Sequence, residues 1–318
     1  MEKLFKLKEH GTDVKTEIIA GITTFLAMAY ILAVNPSYLG GIDGMSAGAV
    51  FSATAISAGI ATLCMAFFAN YPVALASGMG LNAFFAFTVC GAMGYSYKVA
   101  LTAVFIEGII FMLLSLFKFR EALVNKIPSN LKFAITAGIG LFIAIIALLN
   151  ANVVVASEST TVALGELSSP TVVLSLVGLL IIGALQHYKV PGGILLGILI
   201  TWVLGIIAQL VGWYVPNPEA GVYSVIPQFS LSSFEAPKMF QFDFGFIAKN
   251  VPAFILIVFT FLYTDIFDTV GTLIGVAEKG KLLDKDGSLP NATGALMADA
   301  VGTVVGACFG TTTVPSYV

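Results

Sequence analysis

Long apolar runs separated by short polar segments dominate this sequence. A helix needs about 20 mainly apolar residues to cross a bilayer, and nine runs reach that scale, with a tenth element starting near Gly310. The predicted spans are residues 17–35, 47–68, 72–91, 97–117, 130–149, 171–187, 191–213, 247–276 and 292–308. The pattern therefore predicts an all-α polytopic membrane protein.

The third and tenth spans are interrupted. Span 3 contains YPVALASGMGLNAFF and carries Pro72, Gly78 and Gly80 where a lipid-facing helix would carry large apolar residues; span 10 opens with FGTTTVPSYV. Both Gly and Pro disfavour a regular helix. We predict short extended segments at 74–77 and 311–314, which lie inside the protein and pair with each other so that their backbone groups are satisfied.

The basic residues fall mainly on one side of the predicted spans. When alternate loops are counted, the side with the N-terminal arm has twelve Lys and Arg residues and the other side has three. The positive-inside rule then places the N-terminus in the cytoplasm, and we expect the chain to lie in the cytoplasmic membrane. Residues 214–246 are expected to form an external loop at the membrane interface.

Composition excludes several classes of function. The chain is 58% hydrophobic and only 10% charged, with a net charge of -3 and no basic patch that would bind nucleic acid. Its three cysteines have no metal-binding or disulfide spacing, and no nucleophile motif suggests an enzyme. We therefore expect no metal, no cofactor and no catalytic residue. The first apolar run is long enough to span and is not a cleaved signal peptide.

Two acids stand in the middle of span 8. The stretch FTFLYTDIFDTVGTLIGVA contains Asp265 and Asp268, which lie about one helical turn apart. A carboxylate near the centre of a membrane helix costs roughly 2.5–3.5 kcal/mol on insertion scales, so such residues are treated as functional. Glu107 and Asp299 are also intramembrane acids; for each, a structural hydrogen bond and a role in proton movement are equally open.

A weak internal repeat relates the two ends of the sequence. TFLAMAY begins at Thr24 and TFLYTDI begins at Thr260, and each is followed about 50 residues later by a proline, Pro72 and Pro315. The second copy lies seven spans after the first, an odd number, so the two copies would cross the membrane in opposite directions. Inverted repeats with interrupted spans at matching positions are typical of secondary transporters.

The interrupted spans and the two acids predict the chemistry of the ligand. A broken span exposes backbone N–H donors at the start of its half-helix, whereas ionised carboxylates only accept hydrogen bonds. A purine or pyrimidine base offers matching N–H donors and ring acceptors, and Phe84, Phe85 or Phe261 would cover its flat face. The two carboxyl groups also provide for proton coupling, with sodium coupling as the alternative.

Three segments resemble a known family. ASGMGLNAFFAF from Ala76, YTDIFDTVGTLIGVA from Tyr263 and GTTTVPSYV from Gly310 are similar to the signature segments of the purine branch of the nucleobase–cation symporter-2 family, the AzgA-like adenine/guanine/hypoxanthine permeases. The resemblance implies a fold of two inverted seven-span repeats that imports purine bases with protons. It also implies that Asn82 of span 3 lies at the substrate site, and that one acid of the Asp265/Asp268 pair binds the base while its neighbour acts in transport.

The resemblance also implies a division into core and gate domains. Residues 1–127 would be the core half of the first repeat and 128–213 its gate half, with the loop 214–246 and the incomplete second core half at 247–318. The predicted substrate-binding residues are Gly80, Asn82, Asp265, Asp268, Thr312 and Thr313, and the predicted proton-coupling residues are Asp265 and Asp268. The partners are a purine base, protons and the bilayer, and a homodimer is left open.

One departure from the family pattern concerns span 10. The family places a base-binding glutamate directly after the position of Val318, and four further spans follow it. We therefore expect this sequence to be an N-terminal fragment that does not transport unaided. The main rival prediction is an anion transporter of the same fold for sulfate or bicarbonate, which the two carboxylates disfavour. A channel is disfavoured because the polar residues are concentrated in spans 3, 8 and 10.

Overall fold

The structure of the protein is a computed structural model. It describes residues 5–8, 11–116, 129–157, 159–190, 192–217, 222, 224–226, 235–280, 282 and 289–317. Part of the predicted external loop, residues 218–221, 223 and 227–234, lies outside this set.

Helices account for most of the described chain. Seven stretches of it are long and apolar enough to cross a membrane. In chain order the elements are α1 (Val14–Met28), α2 (Ile31–Leu39), α3 (Ala47–Phe68), α4 (Met79–Ala83) continued by a π-helix (Phe84–Ala92), α5 (Tyr97–Leu116), α6 (Ser129–Asn150), β1 (Val154–Ser157), β2 (Thr161–Leu164), α7 (Pro170–His187), α8 (Gly193–Leu210), α9 (Gly245–Lys249), α10 (Val251–Lys279) and α11 (Ala292–Phe309).

Each predicted span interval contains helix, but two details differ from the sequence prediction. Span 1 is divided into α1 and α2 by a turn at residues 29–30, and Pro36 lies inside α2. The chain is not wholly α-helical, because β1 and β2 form an antiparallel hairpin in the connection after α6. The structure is therefore mostly helical, with a small sheet that the apolar pattern did not reveal.

The chain divides into two compact units. The first comprises residues 1–21, 28–139 and 232–318, and the second comprises 22–27 and 140–231. In the first unit α11 packs against α3 and α5, and α10 packs against α5. The buried centre of this unit includes Met65, Leu75, Phe111 and Leu273. Every residue of the predicted site belongs to this unit.

Small residues on α11 let the chain fold back onto its own helix. A Cβ at Gly306 would lie 2.5 Å from the carbonyl oxygen of Thr312, and a Cβ at Gly302 would lie 2.7 Å from the Cβ of Ala61 and 3.2 Å from the carbonyl oxygen of Val314. Glycine permits such close approaches between backbones. The segment after α11 therefore lies directly along the helix that precedes it.

In the second unit α7 and α8 pack side by side. Pro170 occupies the first turn of α7, and the Ser169 side chain caps it by accepting a hydrogen bond from the Val172 N–H, the usual start of a helix. A Cβ at Gly197 would lie 2.3 Å from Cγ1 of Ile182. The two helices thus approach through glycine, as in many membrane helix pairs.

A strap of residues 235–244 crosses the first unit. The Ser46 hydroxyl donates to Glu235, and Lys238 Nζ donates to the Gly44 carbonyl at 2.7 Å. The Phe240 N–H donates to the carbonyl of Cys308 at 2.8 Å, and the Asp243 N–H donates to Thr102 Oγ1 at 2.8 Å. The rings of Phe105 and Phe242 pack against each other with their centroids 4.7 Å apart. These contacts fasten the strap to the ends of α3, α5 and α11.

Candidate functional site

The two interrupted segments cross and pair. Leu75 and Ser316 form an antiparallel bridge, in which the Ala76 N–H donates to the Pro315 carbonyl at 3.2 Å and the Tyr317 N–H donates to the Ala74 carbonyl at 2.8 Å. Pairing between the segments was predicted, but its register falls at 315–317 and not at 311–314. The bridge satisfies backbone groups that have no water available inside a membrane protein.

Asn82 and Thr312 meet at this crossing. The helix that follows the extended part of span 3 begins at Met79, and Asn82 lies in its first turn, fully buried. The Thr312 hydroxyl donates to Asn82 Oδ1. The amide nitrogen of Asn82 and the buried hydroxyl of Thr313 have no hydrogen-bond partner among the residues described. Buried polar groups are normally satisfied, so these two are available to a ligand.

Asp265 is connected to span 10 through Thr303. Asp265 is fully buried in α10, and the hydroxyl of Thr303 in α11 donates to its Oδ2 at 3.4 Å. Thr303 Oγ1 in turn accepts from the Val314 N–H at 3.3 Å. Both contacts are long for hydrogen bonds of these types. Thr303 therefore links the Asp265 carboxylate to the extended segment of span 10.

Asp268 lies beside the start of the span 3 half-helix. A Cβ added at Gly78 would lie 3.6 Å from Asp268 Oδ2 and 2.8 Å from Cγ of Pro315. Asp268 is partly exposed, in contrast to Asp265. Gly80 is two residues further along, in the first turn of the same half-helix, and its carbonyl accepts from the Phe84 N–H. The small residue at position 78 thus lets the carboxylate and the crossing approach each other.

An aromatic cluster lies between span 3 and span 8. Phe84 and Phe261 pack edge to face with ring centroids 4.9 Å apart, and Phe85 and Phe261 lie 6.5 Å apart. Phe85 and Phe261 are fully buried, whereas Phe84 is partly exposed. The residues from Phe84 to Ala92 form a π-helix, a rare conformation that is frequent at functional sites. Of these three rings, Phe84 is the one accessible for stacking.

The polar cluster is closed in this structure. Asn82, Asp265, Thr312 and Thr313 each have no exposed surface. Gly80 and Asp268, by contrast, are partly exposed. The structure therefore brings all six predicted substrate-binding residues to the region where spans 3, 8 and 10 meet, with four of them inaccessible to solvent.

Sequence reasoning overlooked two polar groups near this region. Asn35 of α2 contacts hydroxyl groups of spans 2, 3 and 10, and Thr303 bonds to Asp265. A lone asparagine before Pro36 in an otherwise apolar span was the available signal for the first. Of the acids left open, Asp299 accepts a hydrogen bond from Thr269 at 2.5 Å, and Glu107 is fully buried in α5.

Permeases match this chain over almost its whole length. The xanthine/uracil permease model, described as Permease family, matches residues 15–318. A permease of Methanocaldococcus jannaschii is 46% identical over 318 residues, covering 100% of this chain and 70% of the relative. The adenine permease AdeQ of Escherichia coli is 42% identical, covering 100% and 68%. The guanine/hypoxanthine permease PbuO of Bacillus subtilis is 44% identical, covering 99% and 71%.

One solved structure has a similar fold. The transmembrane domain of a cyanobacterium bicarbonate transporter, BicA, superposes with a TM-score of 0.63 and 16% identity, covering 95% of this chain and 74% of that one. At this level of identity the likeness concerns the fold alone. The chain thus shares the backbone arrangement of a transporter, and its residue-level similarity is to permeases.

Proposed function

The chain belongs to the Permease family of xanthine/uracil permeases, and we propose that it transports purine nucleobases across the cytoplasmic membrane. The family is one of transporters, so the chain is not an enzyme. Adenine permeases and guanine/hypoxanthine permeases are among its relatives, which supports hypoxanthine, guanine or adenine as the substrate.

The observation that carries the proposal is that buried donors without a partner in the described chain and carboxylate acceptors lie together at the crossing. The amide nitrogen of Asn82 and the hydroxyl of Thr313 have no partner in the described part of the chain, and the carboxyl groups of Asp265 and Asp268 belong to the same region. A purine base presents acceptors to the first pair and N–H donors to the second. Gly80 and Thr312 complete the proposed binding set, and Phe84 would stack on the base.

Entry of a base requires the closed cluster to open. The Thr312–Asn82 bond occupies an oxygen that a purine N–H would need, and the long contact between Thr303 and Asp265 is readily exchanged for a stronger one. Alternating access by relative movement of two domains would supply this opening. The core and gate boundaries 1–127, 128–213 and 247–318, the inverted seven-span repeat and a homodimer are part of this proposal.

Proton coupling is proposed for the acid pair. A carboxyl group that exchanges a hydrogen bond with the base for one with water changes its affinity for a proton, so Asp268, which is partly exposed, is the proposed exchange site and Asp265 its buried neighbour. Sodium coupling remains the second candidate, because the same oxygens bind Na⁺. Anion transport is not favoured, because two carboxylates repel an anion.

Uptake of labelled purines tests the function and its coupling. Cells that lack their own purine permeases and carry the full-length gene should accumulate hypoxanthine, guanine or adenine, with competition by purines and not by sulfate. Uptake should rise when the outside is acidified, and Asp268→Asn should remove this dependence while Asp43→Asn, an exposed control, should keep it. Sodium dependence without pH dependence would replace the proton by Na⁺. Absence of purine uptake would reject the proposal.

A further inference from the structure

Asn35 links four separate parts of the first unit. Its side chain is fully buried, and Nδ2 lies 2.7 Å from Thr54 Oγ1, 2.8 Å from Thr311 Oγ1 and 3.2 Å from Ser77 Oγ. All three hydroxyl-bearing residues are also fully buried. They belong to α3 and to the two extended segments of spans 3 and 10. The side-chain amide of Asn35 in span 1 therefore connects the extended segments of spans 3 and 10 to span 2.

The hydrogen bonds of Thr54 determine which way this amide faces. The Thr54 hydroxyl donates its single proton to the Val50 carbonyl at 2.7 Å. Towards Asn35 it can only accept, so the NH₂ group of Asn35 must point into the cluster. Its two protons are used by the two shorter contacts, to Thr54 and Thr311. This orientation leaves Asn35 Oδ1 buried without a hydrogen-bond partner in the described chain.

The cluster continues to the candidate site through both segments. Thr311, which accepts from Asn35, precedes Thr312, whose hydroxyl donates to Asn82. Ser77 bonds to Thr311 at 3.1 Å and immediately precedes Gly78, the cap of the half-helix that carries Asn82. Asn35 itself is not among the residues that contact Asn82 or the acids in these bonds. It acts on the site only through the positions of the two segments.

We propose that Asn35 is a positioning residue for transport, a buried donor that holds the extended segments of spans 3 and 10 against span 2. Loss of this donor lets the two segments separate and disturbs the Thr312–Asn82 contact behind which the base would bind. The effect on transport rests on the proposed purine function. The effect on the segments does not, and the two are measured separately.

Four variants isolate the donor. Asn35→Asp keeps the size of the side chain and replaces its donors by acceptors, which face the accepting oxygen of Thr54. Thr54→Val removes that oxygen with little change of volume, whereas Thr54→Ser retains it. Asn152→Asp makes the same chemical change at an exposed asparagine. The Thr54 variants test the contact independently if Asn35→Asp reduces the yield of folded protein.

Hydrogen–deuterium exchange of the purified chain tests the positioning directly. Backbone amides at 74–77 and 311–317 should exchange about tenfold faster in Asn35→Asp and in Thr54→Val, because a buried bond has been removed. Thr54→Ser and Asn152→Asp should match the wild type. Unchanged exchange in both segments for folded Asn35→Asp and Thr54→Val would overturn the proposal, whatever transport does.

Uptake kinetics test the consequence for the site. In cells expressing the full-length gene, Asn35→Asp and Thr54→Val should raise the KM for the transported purine about tenfold at matched surface amounts, with a smaller change in maximal rate. Thr54→Ser should restore the wild-type KM. A wild type that takes up no purine rejects the proposed function, and the exchange experiment still decides the role of Asn35. A transporting wild type with unchanged KM in both variants overturns the role of Asn35 in transport.

Discussion

Single polar residues form the candidate site, and two of them carry buried atoms that have no hydrogen-bond partner within the described residues. Asn82 uses its oxygen to accept from Thr312 and leaves its nitrogen without a partner in the part of the chain described. Thr313 is buried, and its hydroxyl has no partner among the residues that the structure describes. Unpartnered buried groups are costly and rare. Their presence at one crossing of two interrupted spans is the residue-level basis of the transport proposal.

Removal of the Thr312 hydroxyl should weaken substrate binding. Thr312→Val removes a hydroxyl of the proposed binding set, and the lost hydrogen bond to the base costs about 0.5–1.5 kcal/mol and should raise the KM of purine uptake by up to about tenfold. Thr312→Ser keeps the hydroxyl and serves as the control. Equal KM values for Thr312→Val and Thr312→Ser would contradict the assigned role of this hydroxyl.

A second residue-scale prediction concerns Gly310. Its φ is +90°, and a Cβ there would lie 2.8 Å from the Lys238 carbonyl oxygen of the strap. Gly310→Ala should therefore combine the left-handed backbone cost of about 1–2 kcal/mol with a steric clash. Gly94 has a φ of +67° and open space around it, so Gly94→Ala should incur the first cost alone. Thermal unfolding in detergent should show the larger loss for Gly310→Ala; equal losses would exclude the clash.

The sequence identified some of these residues and not others for a physical reason. Asp265 and Asp268 stand out because charged groups are rare in an apolar span. Asn35 and Thr303 are uncharged, and their importance comes from contacts with distant parts of the chain; Asn35 and Thr311 are 276 positions apart. No local pattern encodes such a contact. The sequence therefore indicated the acids, and only the structure revealed the groups that hold the segments near them.

At the scale of elements, the apolar pattern located the helices because burial in lipid requires length and hydrophobicity together. It did not locate the turn between α1 and α2, because residues 29–30 lie within an uninterrupted apolar run. It also did not reveal the hairpin of β1 and β2. The β-branched residues Val154, Val155, Thr161 and Val162 were a usable strand signal there.

The close packing of span 10 on α11 gives an element-scale prediction. A Cβ at Gly306 would lie 2.5 Å from the carbonyl oxygen of Thr312, so Gly306→Ala should push the extended segment away from α11. Overpacking of this kind costs about 1–3 kcal/mol and should lower purine uptake more than protein yield. Gly59→Ala on α3, where a Cβ meets nothing within 4 Å, should leave uptake unchanged. Normal uptake by Gly306→Ala would contradict this packing requirement.

At the scale of the whole molecule, the family places this chain among transporters, and its fold is similar to that of a solved membrane domain. The internal repeat between Thr24 and Thr260 predicts that the interrupted spans are related elements of two inverted halves. This prediction rests on a shared motif and a similar spacing to a proline, which are local features of the sequence. Side-chain contacts across the crossing are set by three-dimensional packing and leave no such local pattern.

Membrane orientation can be tested with single cysteines. In a variant without Cys64, Cys90 and Cys308, a Cys at position 189 should react with an impermeant maleimide only from the cytoplasmic side. A Cys at position 249 should react only from outside, because twelve of the fifteen basic residues lie on the side of the N-terminal arm in the predicted topology. Labelling of both positions from one side would reject the predicted topology.

The strap of residues 235–244 restricts how the first unit can move. It holds the ends of α3, α5 and α11 through Ser46, Thr102 and Cys308. Because one short segment is hydrogen-bonded to all three helices, these helices cannot separate at that end without breaking several hydrogen bonds simultaneously. We expect α3, α5 and α11 to move as a single rigid body during the transport cycle. The movement that opens the site to substrate would then occur in helices that the strap does not contact.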